Sequence, residues 1–216
     1  MFIGITTRII YEDGIKKQFV NEAYIDYVKL AGFTPIILPM IKDMDDVLNL
    51  CDAFLITGGD DLHSKWYNEP LSEKAGTIHL EMDEVDKYVI EYAYKNKKPM
   101  MGICRGLQAI NAFLGGTLLQ HIEDDSHKKI EGDVIFDKVP NGSIFDRVYN
   151  EHSKINSYHH QCIKDLAPNF IICGYSNGCI EAIEHIELPI IAVQWHPERL
   201  MDEESINLIK EFRKKC

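Results

Sequence analysis

The sequence predicts an α/β fold in three layers, with a mostly parallel sheet that carries helices on both faces. In the first half of the chain, short apolar runs alternate with segments of helical periodicity, a pattern typical of parallel sheets. The second half is richer in candidate strands, so we expect antiparallel strands to be added there. The 216 residues contain no repeat, linker or low-complexity stretch. We therefore expect one domain over residues 1–216.

Glycine and proline mark the ends of the elements predicted in the first half. Gly32 ends the first helix, and Pro39 ends the strand that follows it. The predicted strands are Phe2 to Thr6, Thr34 to Leu38, Ala53 to Thr57 and the apolar run before Cys104. The predicted helices are Val20 to Ala31, Asp43 to Leu50, Leu80 to Tyr94 and Arg105 to Leu114.

The second half supplies the candidate antiparallel strands. Ser176-Asn177-Gly178 is a hairpin-turn signal between two of them. The closing helix, Ser205 to Lys215, has basic residues in its last turn, as the helix dipole favours. The predicted strands are Ile130 to Val139, Lys154 to Tyr158, Ile171 to Tyr175, Ile180 to Ile186 and Ile190 to Trp195.

The composition argues against several classes of protein. The formal net charge of −11 disfavours a nucleic-acid partner, because a phosphate backbone calls for a basic surface. No apolar run approaches the ~18 residues of a membrane span, and the N-terminus predicts a strand rather than a signal peptide. The six cysteines form no Cys-x-x-Cys pair, so neither a zinc site nor a dithiol motif is indicated. We expect a cytoplasmic protein with free thiols and no cofactor.

Cys104 is the strongest functional candidate, because it lies in the pattern Gly-x-Cys-x-Gly. An apolar run precedes it and a helical pattern follows, which is the cysteine counterpart of a nucleophile elbow. Such a turn needs Gly102 and Gly106, since side chains there would clash where strand and helix cross. It places Cys104 at a helix N-terminus, where free N–H groups and the dipole favour a thiolate. The pattern predicts covalent chemistry through sulfur.

The segment Gln194-Trp195-His196-Pro197-Glu198 supplies a candidate base. It follows a buried-strand pattern, so His196 and Glu198 lie just beyond a strand end, and at two residues apart they can point the same way. A neutral histidine can take the proton of Cys104, and a carboxylate on its far nitrogen fixes the tautomer. The pairing favours this hypothesis over a loop histidine and a buried structural thiol.

Gly58-Gly59-Asp60-Asp61 follows another strand of the predicted sheet. A turn is the ordinary explanation, but the position beside Cys104 favours close approach of the backbone to a substrate. Acyl transfer needs donors aimed at the developing oxyanion, and the N–H groups of Gly59 and Arg105 are the candidates. The two aspartates fit a capped or braced turn better than a metal site.

Adjacent histidines occur in Asn156-Ser157-Tyr158-His159-His160-Gln161. Neighbours on a strand point to opposite faces, so one ion rarely binds both, and we predict substrate contact or loop bracing rather than a metal site. Asp83 and Asp86, with Glu81 and Glu84, fall in the first turn of a predicted helix, where negative charge is favoured. We expect a structural role for them.

Together these motifs resemble the class I glutamine amidotransferase-like superfamily, and within it the γ-glutamyl-γ-aminobutyrate hydrolase branch of the C26 cysteine peptidases. The resemblance covers nearly the whole chain, and its Cys-Arg-Gly and Tyr-His-His-Gln pieces favour this branch over synthetase-linked glutaminases. The matching segments are Val20-Asn21-x-x-Tyr24, Thr57-Gly58-Gly59-x-Asp61, Gly102 to Gln108, Gly115 to Leu118, Asn156 to Gln161 and Val193 to Glu198.

The resemblance implies a flavodoxin-like sheet and a triad of Cys104, His196 and Glu198. The triad would hydrolyse a γ-glutamyl amide through a thioester, releasing glutamate and an amine. The resemblance also implies that the N–H groups of Gly59 and Arg105 form the oxyanion hole. The residues expected near the glutamyl group are Gln108, Tyr158, His159 and His160.

Two other functions stay open. A glutaminase that passes ammonia to a separate synthetase would share these residues, and so would a catalytically silent binding protein on the same fold. The family usually has proline, glycine and arginine where this chain has Ser64, Asn68 and Met82, on the side that could shape the leaving-group site. We expect a small γ-glutamyl substrate and no nucleic-acid or membrane partner; the oligomeric state is open, with a homodimer as the common default.

Overall fold

The computed structural model describes residues 1–41 and 43–216. The strands are β1 (Phe2–Thr6), β2 (Arg8–Glu12), β3 (Ile15–Phe19), β4 (Thr34–Leu38), β5 (Ala53–Ile56), β6 (Met100–Ile103), β7 (Thr117–Leu119), β8 (Ile130–Ile135), β9 (Asp137–Lys138), β10 (Lys154–Ser157), β11 (Cys162–Asp165), β12 (Phe170–Ser176), β13 (Cys179–His185) and β14 (Ile190–Val193). The helices are α1 (Glu22–Leu30), α2 (Asp45–Leu50), α3 (Leu80–Lys95), α4 (Arg105–Phe113), α5 (Ile144–Val148), α6 (Pro197–Leu200) and α7 (Glu203–Lys214), with a 3₁₀ turn over Ser64–Tyr67.

Eight strands form the central sheet, in the order β4-β1-β5-β6-β14-β13-β12-β9. The first five pair in parallel, and β13, β12 and β9 are added antiparallel at one edge. Every residue of β5, β6 and β14 is buried, as expected for parallel strands covered on both faces. The predicted fold class, with antiparallel strands in the C-terminal half, is confirmed.

Helices cover both faces of this sheet and create two cores. Phe212 of α7 packs in one core and Leu107 of α4 in the other. Along β5, Leu55 belongs to the first core while Phe54 and Ile56 belong to the second, because neighbours on a strand point to opposite faces. In the described part of the chain, no helix is both long and apolar enough to cross a membrane.

The single strand predicted over Ile130 to Val139 is wrong. It is divided into β8, which pairs with β10 outside the central sheet, and β9, which pairs with β12. Phe136 separates them, and its buried ring packs against Tyr149 and Trp195. The ring has room because β12 has Gly174 there, where a Cβ would lie 2.2 Å from it. The chain therefore passes from the β8–β10 pair to the central sheet at Phe136, the residue whose ring is buried.

The sequence prediction also omits the hairpin of β2 and β3. Its turn contains Asp13 and Gly14, both with positive φ, and an Asp-Gly pair is a known hairpin-turn signal. Most of its side chains are exposed, so burial periodicity gave no guide. The structure further adds β7, β11, α5 and α6, and the first two helices begin at Glu22 and Asp45, two residues later than predicted.

Candidate active site

Cys104 occupies a sharp turn between β6 and α4. Its φ of +53° and ψ of −109° lie outside the regions that side chains normally allow, a strain that persists only when the surroundings impose it. The Cys104 N–H donates to the Val193 carbonyl at 2.8 Å, which ties the turn to β14. Cys104 is also the N-cap of α4, so the first N–H groups of that helix lie next to it.

The glycines on either side of Cys104 are required by close packing of backbone. A Cβ on Gly106 would lie 2.0 Å from the carbonyl oxygen of Ile56, and a Cβ on Gly102 would lie 2.7 Å from the backbone of Gly106. Both distances are impossible for real atoms, so only glycine fits. The steric reason given for the Gly-x-Cys-x-Gly pattern is therefore confirmed.

His196 and Glu198 follow β14, the neighbour of β6 in the sheet. Since the carboxyl ends of parallel strands meet at one edge, they lie beside Cys104. His196 Nδ1 is 2.7 Å from Glu198 Oε1. Asn156 holds the His196 backbone from both sides: its Oδ1 accepts from the N–H at 2.8 Å and its Nδ2 donates to the carbonyl at 2.9 Å. The three predicted triad residues are thus brought together.

The environment of His196 favours the imidazolium form. Burial by itself lowers the pKa of this imidazole, but the charges and hydrogen bonds of Cys104 and Glu198 outweigh it and raise the pKa to about 10. Partners that favour the charged form of an imidazole raise its pKa in this way. Position and charge therefore suit a proton transfer between His196 and Cys104.

Gly58 and Gly59 lie against the same turn from the β5 side. A Cβ on Gly58 would be 3.5 Å from Cys104 Cβ and 3.1 Å from His196 Cε1, and a Cβ on Gly59 would be 3.4 Å from Arg105 Cδ. Within residues 1–41 and 43–216, the Gly59 N–H has no hydrogen-bond acceptor. Arg105 begins α4, and such an N–H has no acceptor inside its helix. Both predicted donors are therefore available.

A cavity of about 800 Å³ opens at Cys104, a size typical of small-molecule sites. Tyr158, His159 and His160 line it, as do Gly58 and His196. Three of the four residues predicted to contact substrate therefore face this space.

Gln108, the fourth predicted contact, is not among the cavity-lining residues. Its side-chain amide donates to the Gln161 carbonyl at 3.1 Å and to Gln194 Oε1 at 3.2 Å. Gln194 Nε2 in turn is 3.6 Å from Cys104 Sγ. Gln108 lies one turn into α4, and its side chain points toward buried polar groups beneath Cys104. The structure therefore places it behind the nucleophile and not in contact with the cavity.

His159 and His160 have separate partners, as predicted for neighbours in extended chain. His160 Nε2 is 3.0 Å from Asp61 Oδ1, whereas His159 Nε2 is 3.3 Å from Glu181 Oε1. Asp61 Oδ2 also accepts from Gln161 Nε2 at 2.8 Å. Asp61 therefore connects the segment after Gly59 to the segment that carries His160 and Gln161.

One buried group in the described part of the chain brings three potential metal ligands together: His127, His159 and Glu181, with ligand atoms within 4.8 Å of one another. His127 Nδ1, which is 3.5 Å from Glu181, already faces the hydroxyl of Ser157 at 3.0 Å. Coordination through that atom would displace the serine. His127 Nε2, His159 Nε2 and both carboxylate oxygens of Glu181 have no hydrogen-bond partner among the described residues.

Arg8 is a buried residue at this site that the sequence prediction missed. It begins β2, its Nε donates to the Gly58 carbonyl at 2.5 Å, and its Nη1 is 3.1 Å from Asp86. Asp86 also binds the Arg105 guanidinium, which reaches Asp83 at 2.6 Å. The two aspartates are structural, as expected, but they act through buried ion pairs rather than through the helix dipole. Because the sequence prediction omitted the hairpin that contains Arg8, it gave no indication that Arg8 lies at this site.

Comparison with known proteins shows which family the chain belongs to. The family model of peptidase C26 matches residues 2–198. The putative glutamine amidotransferase-like protein YvdE of Lactococcus lactis subsp. lactis is 32% identical over 203 residues, covering 85% of this chain and 82% of that protein. The γ-glutamyl-CDP-amidate hydrolase of Campylobacter jejuni is 30% identical over 219 residues, covering 98% and 97%.

The fold has relatives among solved structures. A glutamine amidotransferase from Thermotoga maritima superimposes with a TM-score of 0.64 at 17% identity, covering 99% of this chain and 84% of that chain. At that identity the likeness establishes the fold alone, whereas the family model covers most of the sequence. The chain belongs to the peptidase C26 family of glutamine amidotransferase-like hydrolases.

Proposed function

We propose that this protein hydrolyses the γ-glutamyl amide bond of a small γ-glutamyl amine through a thioester on Cys104. The observation that carries the proposal is the pairing of a strained cysteine with His196, which is bonded to Glu198 at 2.7 Å. The C26 family membership supports a hydrolase. The name of the Campylobacter jejuni relative, which spans almost the same length, describes a γ-glutamyl amidate as its substrate.

In the first half-reaction the Cys104 thiolate attacks the δ-carbonyl carbon of the substrate. A carbon–sulfur bond forms, and negative charge moves to the carbonyl oxygen, where the N–H groups of Gly59 and Arg105 receive it. As the carbon–nitrogen bond breaks, protonated His196 gives its Nε2 proton to the leaving amine. The products of this step are the free amine and a glutamyl thioester.

In the second half-reaction water replaces the amine. His196, now neutral, removes a proton from the water as it attacks the thioester, and the same two N–H groups receive the second oxyanion. The carbon–sulfur bond breaks, which restores the Cys104 thiolate and releases glutamate. Glu198 keeps the proton on Nδ1 of His196, so that Nε2 serves both transfers. Two easier steps replace one difficult step.

We further propose that the leaving amine carries an anionic group, as γ-aminobutyrate does. Arg8, Lys128, Lys129 and Arg199 line the cavity, and among the described residues that line it Asp60 is the one carboxylate. In a chain of net charge −11, this local excess of cations favours an anion over a polyamine, because complementary charge selects the ligand.

A substrate panel tests the proposal. We expect kcat/KM to be higher for γ-glutamyl-γ-aminobutyrate than for γ-glutamyl-putrescine or glutamine. Substitution Cys104→Ala should lower the rate by about 10³-fold or more, since the nucleophile is lost. Cys173→Ala, which removes a buried thiol outside the cavity, is the matched control and should leave the rate unchanged.

Acid quenching followed by mass spectrometry should trap a glutamyl adduct on Cys104. Full activity in Cys104→Ser, or the absence of any adduct during turnover, would contradict the thioester route. Turnover of glutamine alone, stimulated by a second protein, would favour a glutaminase that serves a synthetase. Failure of Cys104 to react with a glutamine-analogue electrophile would favour a silent binding protein.

A further inference from the structure

Two arginines and two aspartates form a buried ion network beneath the two backbone donors. Arg8, Arg105, Asp83 and Asp86 are each at most 6% exposed. Asp86 lies at the centre, with Oδ1 at 3.1 Å from Arg8 Nη1 and Oδ2 bound to Arg105 Nη1. Asp83 Oδ1 is 2.6 Å from Arg105 Nη2, and its Oδ2 accepts from Trp66 Nε1 at 2.9 Å. A buried charge is stable only when it is paired, so removal of one member of this network leaves an unpaired charge on its partners.

Arg8 binds the backbone of the turn that contains Gly58 and Gly59. Its Nε donates to the Gly58 carbonyl at 2.5 Å, and its Nη2 donates to the Thr57 carbonyl. In a trans peptide the C=O and N–H bonds point in opposite directions. Holding the Gly58 carbonyl against Arg8 therefore directs the Gly59 N–H away from Arg8.

Few other contacts of the described residues fix the direction of the Gly58–Gly59 peptide. Gly58 and Gly59 have no side chains, and glycine has a wide choice of backbone angles. The Gly58 N–H bonds to the Tyr24 hydroxyl at 2.9 Å, which fixes the preceding peptide but not the Gly58–Gly59 peptide. A rotation of that peptide would present a carbonyl oxygen in place of the Gly59 N–H, and a carbonyl repels an oxyanion.

We propose that Arg8 and Asp86 are positioning residues that hold the two oxyanion donors in a fixed relation. Arg8 sets the direction of the Gly59 N–H, Arg105 supplies the second N–H from its own backbone, and Asp86 joins the two guanidinium groups. The inference rests on the proposed function, because it assumes that these N–H groups receive the oxyanion. Arg8 also lines the cavity, but its guanidinium nitrogens bind backbone carbonyls and Asp86, so we infer that it acts on the reaction through Gly59.

The substitution Arg8→Lys tests this role, because lysine keeps the charge but cannot reach three carbonyls and Asp86 with one nitrogen. With γ-glutamyl-γ-aminobutyrate as substrate, we expect kcat to fall by ~10²–10³, the loss typical of a missing oxyanion donor. KM should change less than about threefold, since binding of the ground state does not use the donor. Asp86→Asn, which leaves one oxygen to serve two arginines, should shift kcat in the same direction.

Alkylation of Cys104 by iodoacetamide separates positioning from general damage. This displacement forms no oxyanion, so its rate in Arg8→Lys should match that of the unsubstituted protein. Leu208→Ala, which leaves a cavity in the core beside α7, is the control for lost stability and should leave kcat unchanged. Equal losses of kcat and alkylation rate in Arg8→Lys, or a higher KM at unchanged kcat, would overturn the inference.

Crystal structures of both proteins without substrate give a readout that does not depend on activity. We expect the Gly58–Gly59 peptide to be rotated in Arg8→Lys, and an unrotated peptide would contradict the positioning role. If no γ-glutamyl amide is hydrolysed by the unsubstituted protein while the peptide rotates in Arg8→Lys, the proposed function fails and the positioning role stands. If Arg8→Lys is active and its peptide is unrotated, the positioning role fails and the proposed function stands.

Discussion

Cys104 differs from Cys51 and Cys173 in its neighbours rather than in its burial. Burial raises the pKa of Cys51 and of Cys173 to about 11 each, so these thiols stay protonated at neutral pH and unreactive. Cys104 is also buried, but it lies beside His196, whose positive charge the surroundings favour. At the residue scale, the proposed role of Cys104 therefore depends on its position beside His196.

Glu198→Gln should move the alkaline limit of activity. The proposed mechanism needs protonated His196, so kcat/KM in the unsubstituted protein should fall as pH rises through about 10. Glu198 helps to raise the pKa of His196, against burial, which lowers it. Loss of the carboxylate charge should therefore shift this limit to lower pH in a profile of kcat/KM.

The control for that shift is Glu184→Gln, a buried glutamate that pairs with Lys215 and should leave the profile in place. An alkaline limit that stays near pH 10 in Glu198→Gln would contradict the assignment. Linkage gives the matching stability effect: the pKa of His196 is raised on folding from about 6.5. Its contribution is therefore complete below that pH and is lost as pH rises through about 10.

The crossing of α4 over β5 decides the geometry of the turn at the element scale. α4 begins directly after Cys104 and packs Gly106 onto the carbonyl of Ile56. Because this contact is between backbones, it cannot be relieved by rotating a side chain. The elbow is consequently held by the packing of a helix on a sheet, and not by the loop alone.

Gly106→Ala should destabilise the protein strongly. Its Cβ would lie 2.0 Å from the Ile56 oxygen, and we expect a loss of about 3 kcal/mol in the free energy of unfolding, measured by urea denaturation. Gly14→Ala is the control: its φ is +75° with open space around it, so only backbone strain of ~1 kcal/mol applies. Equal costs for the two variants would show that the close contact is relaxed in solution.

At the scale of the whole molecule, one sheet is shared by both cores. Strands such as β5 give alternate side chains to the two faces, so neither core can lose its order without exposing the other. The C-terminal helix α7 packs against α1 near the start of the chain, which joins the two ends of the sequence. We therefore propose that residues 1–216 unfold as one unit.

The two tryptophans test this cooperativity, because each reports on one core. Trp195 belongs to the core with α7, and Trp66 packs against the core with α4. In Trp195→Phe and Trp66→Phe, the remaining tryptophan should show thermal transitions whose midpoints coincide with that of circular dichroism in the same variant. Separate midpoints within one variant would indicate two independently unfolding units.

Local patterns in the sequence determined the fold class, Cys104 with its flanking glycines, and the pair His196 and Glu198. These features depend on residues close in the chain, on alternation and on glycine, so spacing alone reveals them. Tertiary structure decided the rest. Arg8 meets Gly58 and Asp86 across 50 and 78 positions, and Phe136 divides a predicted strand by packing on distant aromatic rings. Such contacts depend on which elements fold against one another, and no local pattern encodes that.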